Sequence, residues 1–133
     1  MKANMKLTAI LLLTLFFVSC GGDLSSLKEI QSQKVGNFNV ILLNFDGTIK
    51  EGEGTFVVEF RDATSNKLVE VGSVICDATM KMGDKLDSGK TTISFTDIPG
   101  RYDVKYNLPM KGNWIYTLYF NGKYRIQYTL DLK

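Results

Sequence analysis

The chain has 133 residues, with 16 basic and 14 acidic side chains, a formal charge of +2, two cysteines and no histidine. Without histidine, neither a Ser-His-Asp nor a Cys-His nucleophile pair can be assembled, nor a tetrahedral zinc site built on Cys and His. The near-balanced charge, with no basic cluster, argues against a nucleic-acid-binding face or a polybasic lipid-binding tract, and the carboxylates are scattered with no recognisable catalytic pairing.

The N-terminal segment carries the strongest signal. Lys2 and Lys6 precede a run from Leu7 to Val18 that is apolar apart from two threonines, and the segment closes Phe17-Val18-Ser19-Cys20-Gly21. This is the three-part layout of a secretory signal. The apolar run is about twelve residues, short of the roughly 20 that cross a bilayer. Its end resembles the lipobox of bacterial lipoproteins, with Phe17 at the first position. The resemblance implies a signal peptide over 1–19, acylation of Cys20 and a chain anchored in the cell envelope, facing the periplasm or the exterior. Gly21, standing where aspartate would retain the protein at the inner membrane, favours the outer membrane of a Gram-negative cell. Loss of Lys2 and Lys6 with the signal leaves residues 20–133, with 14 bases against 14 acids. That length is one domain. With Cys20 acylated, Cys76 has no partner for an intramolecular disulfide, so the domain must rest on its apolar core.

Residues 20–36 read as a lipidated tether, in which Leu24, Leu27 and Ile30 could line one side of a short helix. From Asn37 the pattern changes to period two, the mark of half-buried strands. Phe38 to Phe45 is apolar on both faces. Phe56, Val58 and Phe60 alternate with Val57, Glu59 and Arg61, and Ile93 and Phe95 with threonines and Ser94. Tyr102 to Leu108, Trp114 to Phe120 and Tyr124 to Leu132 repeat the alternation. Asp46-Gly47 and Asn121-Gly122 are hairpin dipeptides that tolerate the positive φ of a type I′ turn, and Pro99-Gly100 marks another turn. About seven short strands over 37–133 predict an all-β, immunoglobulin-like antiparallel sandwich, with a small barrel as the competing architecture.

The stretch Val74 to Asp84 places Val74, Cys76, Ala78, Met80 and Met82 on one strand face. Met80 and Met82 would lie about 6.6 Å apart along it, and Cys76 about 13 Å from Met80, too far to share an ion. Thioethers are flexible and polarizable, and equally serve as core filler. A third thioether, Met110, follows Leu108-Pro109. Trp114 reads as a core anchor.

Asp97-Ile98-Pro99-Gly100-Arg101-Tyr102, followed by Leu108-Pro109-Met110-Lys111-Gly112-Asn113-Trp114, resembles the Pro-Gly-x-Tyr and Met-x-Gly-x-Trp signature of YtkA-like (FixH-related) domains. The resemblance runs from about Phe56 to Phe120. It implies an immunoglobulin-like domain in an extracytoplasmic or membrane-attached protein linked with copper handling, heavy-metal efflux or oxidase assembly, with a membrane protein of those systems as partner; the missing histidine and paired acids point to a non-enzymatic role. Met80-Lys81-Met82-Gly83 stands where the family carries a Met-Pro-Met-like segment, with Lys81 in place of the proline. Met80, Met82 and Met110 are thereby the expected metal ligands, and soft sulfur donors select Cu(I) over Zn(II) or Cu(II). The alternative is a metal-free structural or protein-binding module of an envelope complex.

Overall fold

The computed structural model describes residues 26–133. The expected signal peptide, Cys20 and the start of the expected tether lie outside the described residues. Nine strands form two antiparallel sheets. One sheet has the order β1 (Lys28–Val35), β2 (Phe38–Asn44), β3 (Gly52–Asp62), β7 (Arg101–Leu108), β6 (Lys90–Phe95). The other has the order β5 (Lys85–Ser88), β4 (Val74–Met82), β8 (Gly112–Phe120), β9 (Tyr124–Leu132). With β1 and β5 set aside, β2-β3-β7-β6 faces β4-β8-β9, the four-on-three arrangement of an immunoglobulin-like sandwich. The sandwich expectation holds, and the barrel does not, because the sheets stay separate.

The alternation read from the sequence sets the core. Phe56, Val58 and Phe60 on β3, Tyr102 and Val104 on β7, and Trp114, Tyr116 and Leu118 on β8 are all buried. Their polar neighbours on the same strands mostly face out. Two phenols close internal gaps: Tyr128 donates to the Val40 carbonyl at 2.7 Å and Tyr102 to the Gly72 carbonyl at 2.6 Å. Burial pushes both hydroxyls above their usual pKa, so they remain donors.

Two strands exceed the expected seven. β1 lies in the segment expected as a tether with a short helix. It instead pairs with β2 from Lys28↔Asn44 to Val35↔Phe38. Its sequence, Lys-Glu-Ile-Gln-Ser-Gln-Lys-Val, hides the strand because an edge strand buries little; only Ile30 and Val35 pack on the core. Its polar residues have a second task. Gln31 and Gln33 donate from their side-chain amides to the β9 carbonyls of Thr129 and Gln127, each at 2.6 Å, and so cap the open edge of the opposite sheet. β5 is a four-residue return from β4 through Gly83, whose φ is +60°.

Asn121 and Gly122 both have positive φ (56° and 71°), as a type I′ hairpin requires, and they join β8 to β9. Asp46-Gly47 forms no tight hairpin. β2 ends at Asn44 and β3 begins at Gly52, and the Asn44 amide closes the loop by donating to the Thr48 carbonyl at 2.7 Å.

One end of the sandwich collects the start of β1, the 45–51 loop, the β4–β5 turn and the 109–111 connection. Gly47 lies against Lys28, and Lys111 meets Glu51 at 3.8 Å. The β1–β2 and β8–β9 turns occupy the opposite end, where Gly36 packs on Tyr124.

Candidate metal-binding end

The three methionines sit at the end that carries the start of β1. β4 runs antiparallel to β8 with Thr79 opposite Ile115, so Met80 and Met82 approach the beginning of β8. Met110 lies in the connection that leads into it. In the β4–β5 hairpin, Met80 pairs with Asp87 and Met82 with Lys85.

Their exposures differ. Met80 is 5% exposed and belongs to the core, Met110 is half-buried against it, and Met82 is 48% exposed at the strand's end. Met80 points into space left by Gly112: a Cβ there would sit 2.8 Å from the Met80 Cε and 3.7 Å from its sulfur. Gly112 also has φ +125°, a region that side chains disfavour. The thioether of Met80 therefore ends two residues from Met110, beneath the β7–β8 connection.

That connection is held by Trp114. The tryptophan is fully buried, as expected of a core anchor, and its indole N–H donates to the Met110 carbonyl at 2.9 Å. Pro99-Gly100-Arg101-Tyr102 has an equally structural basis. A Cβ on Gly100 would meet the Val69 backbone at 2.8 Å, and its φ is +87°. Tyr102 makes the bond to Gly72 already described, and Arg101 binds Glu59.

Glu59 is a site that the sequence did not disclose. It is 3% exposed on the outer face of the five-stranded sheet. Arg61 donates to its Oε1 at 2.9 and 3.1 Å, and Arg101 donates to its Oε2 from Nε at 3.0 Å and from Nη2. The period-two pattern marked Glu59 only as an outward position; it could not show that two arginines would cover it.

Cys76 stands apart from the methionines, half-buried between the sheets. Its sulfur lies 3.6 Å from the Thr91 hydroxyl, which donates to Tyr116 at 3.4 Å. Burial drives the Tyr116 hydroxyl far above its usual pKa and keeps it protonated. Among the described residues, no three His, Cys, Asp or Glu side chains gather into a metal-holding group.

The family described as YtkA-like matches residues 32–119, a span that begins inside β1 and is wider than the signature residues alone mark. Among solved structures, the chain is similar to the crystal structure of the Lin-41 filamin domain, with 17% sequence identity, a TM-score of 0.47, and coverage of 65% of this chain and 81% of that one. No curated protein matches the chain.

Proposed function

The chain belongs to the YtkA-like family, and on that premise we propose that it is an envelope-anchored lipoprotein, acylated at Cys20, that serves copper or heavy-metal handling without catalysis. Its cargo in this reading is Cu(I), held transiently by Met80, Met82 and Met110. The observation that carries the reading is that the start of β1 and all three methionines share one end of the sandwich. Only eight residue steps separate Cys20 from Lys28, at most about 28 Å of extended chain. An anchor at Cys20 would therefore turn the methionine end toward the membrane and toward a membrane-embedded partner in efflux or oxidase assembly.

The gradation of exposure suits a relay. Met82 meets solvent first, Met110 lies beside it in sequence of burial, and Met80 would need only to swing its flexible side chain past Gly112 to join them. Soft thioethers favour Cu(I), and modest affinity permits release.

Anaerobic Cu(I) titration of the full chain in detergent, against a competing chelator, tests the reading. The variant Met80→Leu/Met82→Leu/Met110→Leu is expected to lose Cu(I) binding and keep its thermal unfolding within a few degrees. Equal affinity in wild type and variant would overturn it. The metal-free reading has its own support in the burial of Met80 and in the exposed pair Ile75 and Tyr119 on β4 and β8. It predicts no Cu(I) binding by either protein.

A further inference from the structure

The end of the sandwich opposite the methionines carries a groove of about 490 Å³. It lies where β4 begins and the β8–β9 hairpin turns. Ile75, Tyr119 and Arg125 form one row across three strands, since Ile75 pairs with Tyr119 and Tyr119 with Arg125. Lys123 and Tyr124 complete the wall.

Three properties of this row combine. Ile75 is 67% exposed and Tyr119 38%, on a sheet face where Ile115 on β8 and Leu86 on β5 are also exposed but lie toward the methionine end. Both charged residues lining the groove are cations, and no carboxylate lines it. Neither Lys123 nor Arg125 enters an ion pair among the described residues; Lys123 sits instead 5.1 Å from the centre of the Tyr124 ring. The ring in turn is fixed by contacts with Phe38 and Phe120 and by the close approach of Gly36.

We propose that this groove binds an acidic segment of a partner protein that carries an apolar side chain. Acidic groups would pair with Lys123 and Arg125, while the apolar side chain covers Ile75 and the edge of Tyr119. The cations supply orientation and encounter rate, and the buried apolar contact supplies the anchor. An acidic glycan is less well matched. Sugars stack on open aromatic faces, and here Tyr124 is already packed by Phe38, Phe120 and Lys123, whereas the most exposed wall is the aliphatic Ile75. The site is independent of the methionines and stands at the other end of the domain.

The probe is a fluorescein-labelled peptide, acetyl-Glu-Glu-Leu-Glu-Glu-amide, followed by fluorescence anisotropy with the full chain in detergent. The peptide is expected to bind in low salt and to weaken by about tenfold or more as salt is raised. Lys123→Glu/Arg125→Glu should abolish binding, and Ile75→Ser should weaken it about fivefold. All three positions face solvent, and unchanged far-UV circular dichroism will confirm that the variants fold. The proposal is overturned if the acidic peptide fails to bind at about 1 mM. It is also overturned if a lysine-for-glutamate peptide binds equally, if the variants bind like wild type, or if a glucuronic-acid oligosaccharide binds where the peptide does not.

Discussion

The indole N–H of Trp114 donates to the carbonyl oxygen of Met110 across the β7–β8 connection at 2.9 Å. This bond and the tight space at Gly112 give the tryptophan and the glycine of the Met-x-Gly-x-Trp stretch their structural tasks, while the bond itself engages only the backbone of Met110. Trp114 fixes the backbone at Met110, and Gly112 between them gives up the space that Met80 fills. The same three residues thus set both the packing of one end of the sandwich and the position of two thioethers. Trp114→Phe keeps a ring in the core but leaves the Met110 carbonyl without its donor. It should destabilise the domain by about 1–3 kcal/mol in chemical denaturation.

Two glycines are expected to differ in their tolerance of alanine. At Gly100 a Cβ meets the Val69 backbone at 2.8–3.1 Å, and backbone cannot step aside. At Gly112 the obstacle is the flexible end of Met80, so the remaining cost is chiefly that of positive φ, about 1–3 kcal/mol. Gly100→Ala should therefore cost more than Gly112→Ala when both are measured by urea titration. The reverse order would contradict the packing described at the two turns.

Glu59 is held by two arginines on an otherwise solvent-facing surface. Glu59→Ala leaves Arg61 and Arg101 facing each other without a counter-charge and should cost about 3 kcal/mol, since a half-removed buried ion pair is worse than none. Replacing all three with apolar residues of similar size should recover most of that loss. A Glu59→Ala variant as stable as wild type would mean that the arginines find water instead.

The turn after β3 supplies a pH dependence. Asp62 accepts the backbone N–H groups of Ser65 and Thr64, each at 2.8 Å, and the Asn37 amide at 3.2 Å. These bonds, that of Ser65 foremost, hold its carboxyl below the usual pKa. The unfolded chain thus takes up the proton first as pH falls. The contribution is complete above about pH 5 and fades as pH drops through about 4 toward the lower folded value. Asp62→Asn should flatten this part of the acid limb of Tm against pH by lowering Tm in the neutral region, while Tm below the folded pKa stays close to wild type.

The sequence disclosed the sandwich because its central strands bury one face completely. Tyr124, Ile126, Tyr128, Leu130 and Leu132 alternate without a break, and all but the first are buried. β1 was illegible for the opposite reason. Its glutamines work through side-chain amides on another strand, which leaves no periodic trace. Trp114 was readable as core, but its bond to Met110 and the void at Gly112 required coordinates. The methionines were singled out by residue type, shared strand parity and resemblance to a Met-Pro-Met-like segment, and none of these could separate the sealed Met80 from the exposed Met82. Glu59 was hidden because its partners lie one strand away and two residues along.

The most direct test of the methionine end is methyl NMR on the processed chain, labelled at the methionine ε-carbon. After Cys20 the sequence contains three methionines, Met80, Met82 and Met110, so three signals report on the whole site. Stepwise anaerobic addition of Cu(I) should shift all three together, with saturation at one ion per chain. If the Met82 signal alone responds, or if none does while the fold stays intact, the thioethers do not share a cation and the metal role is contradicted.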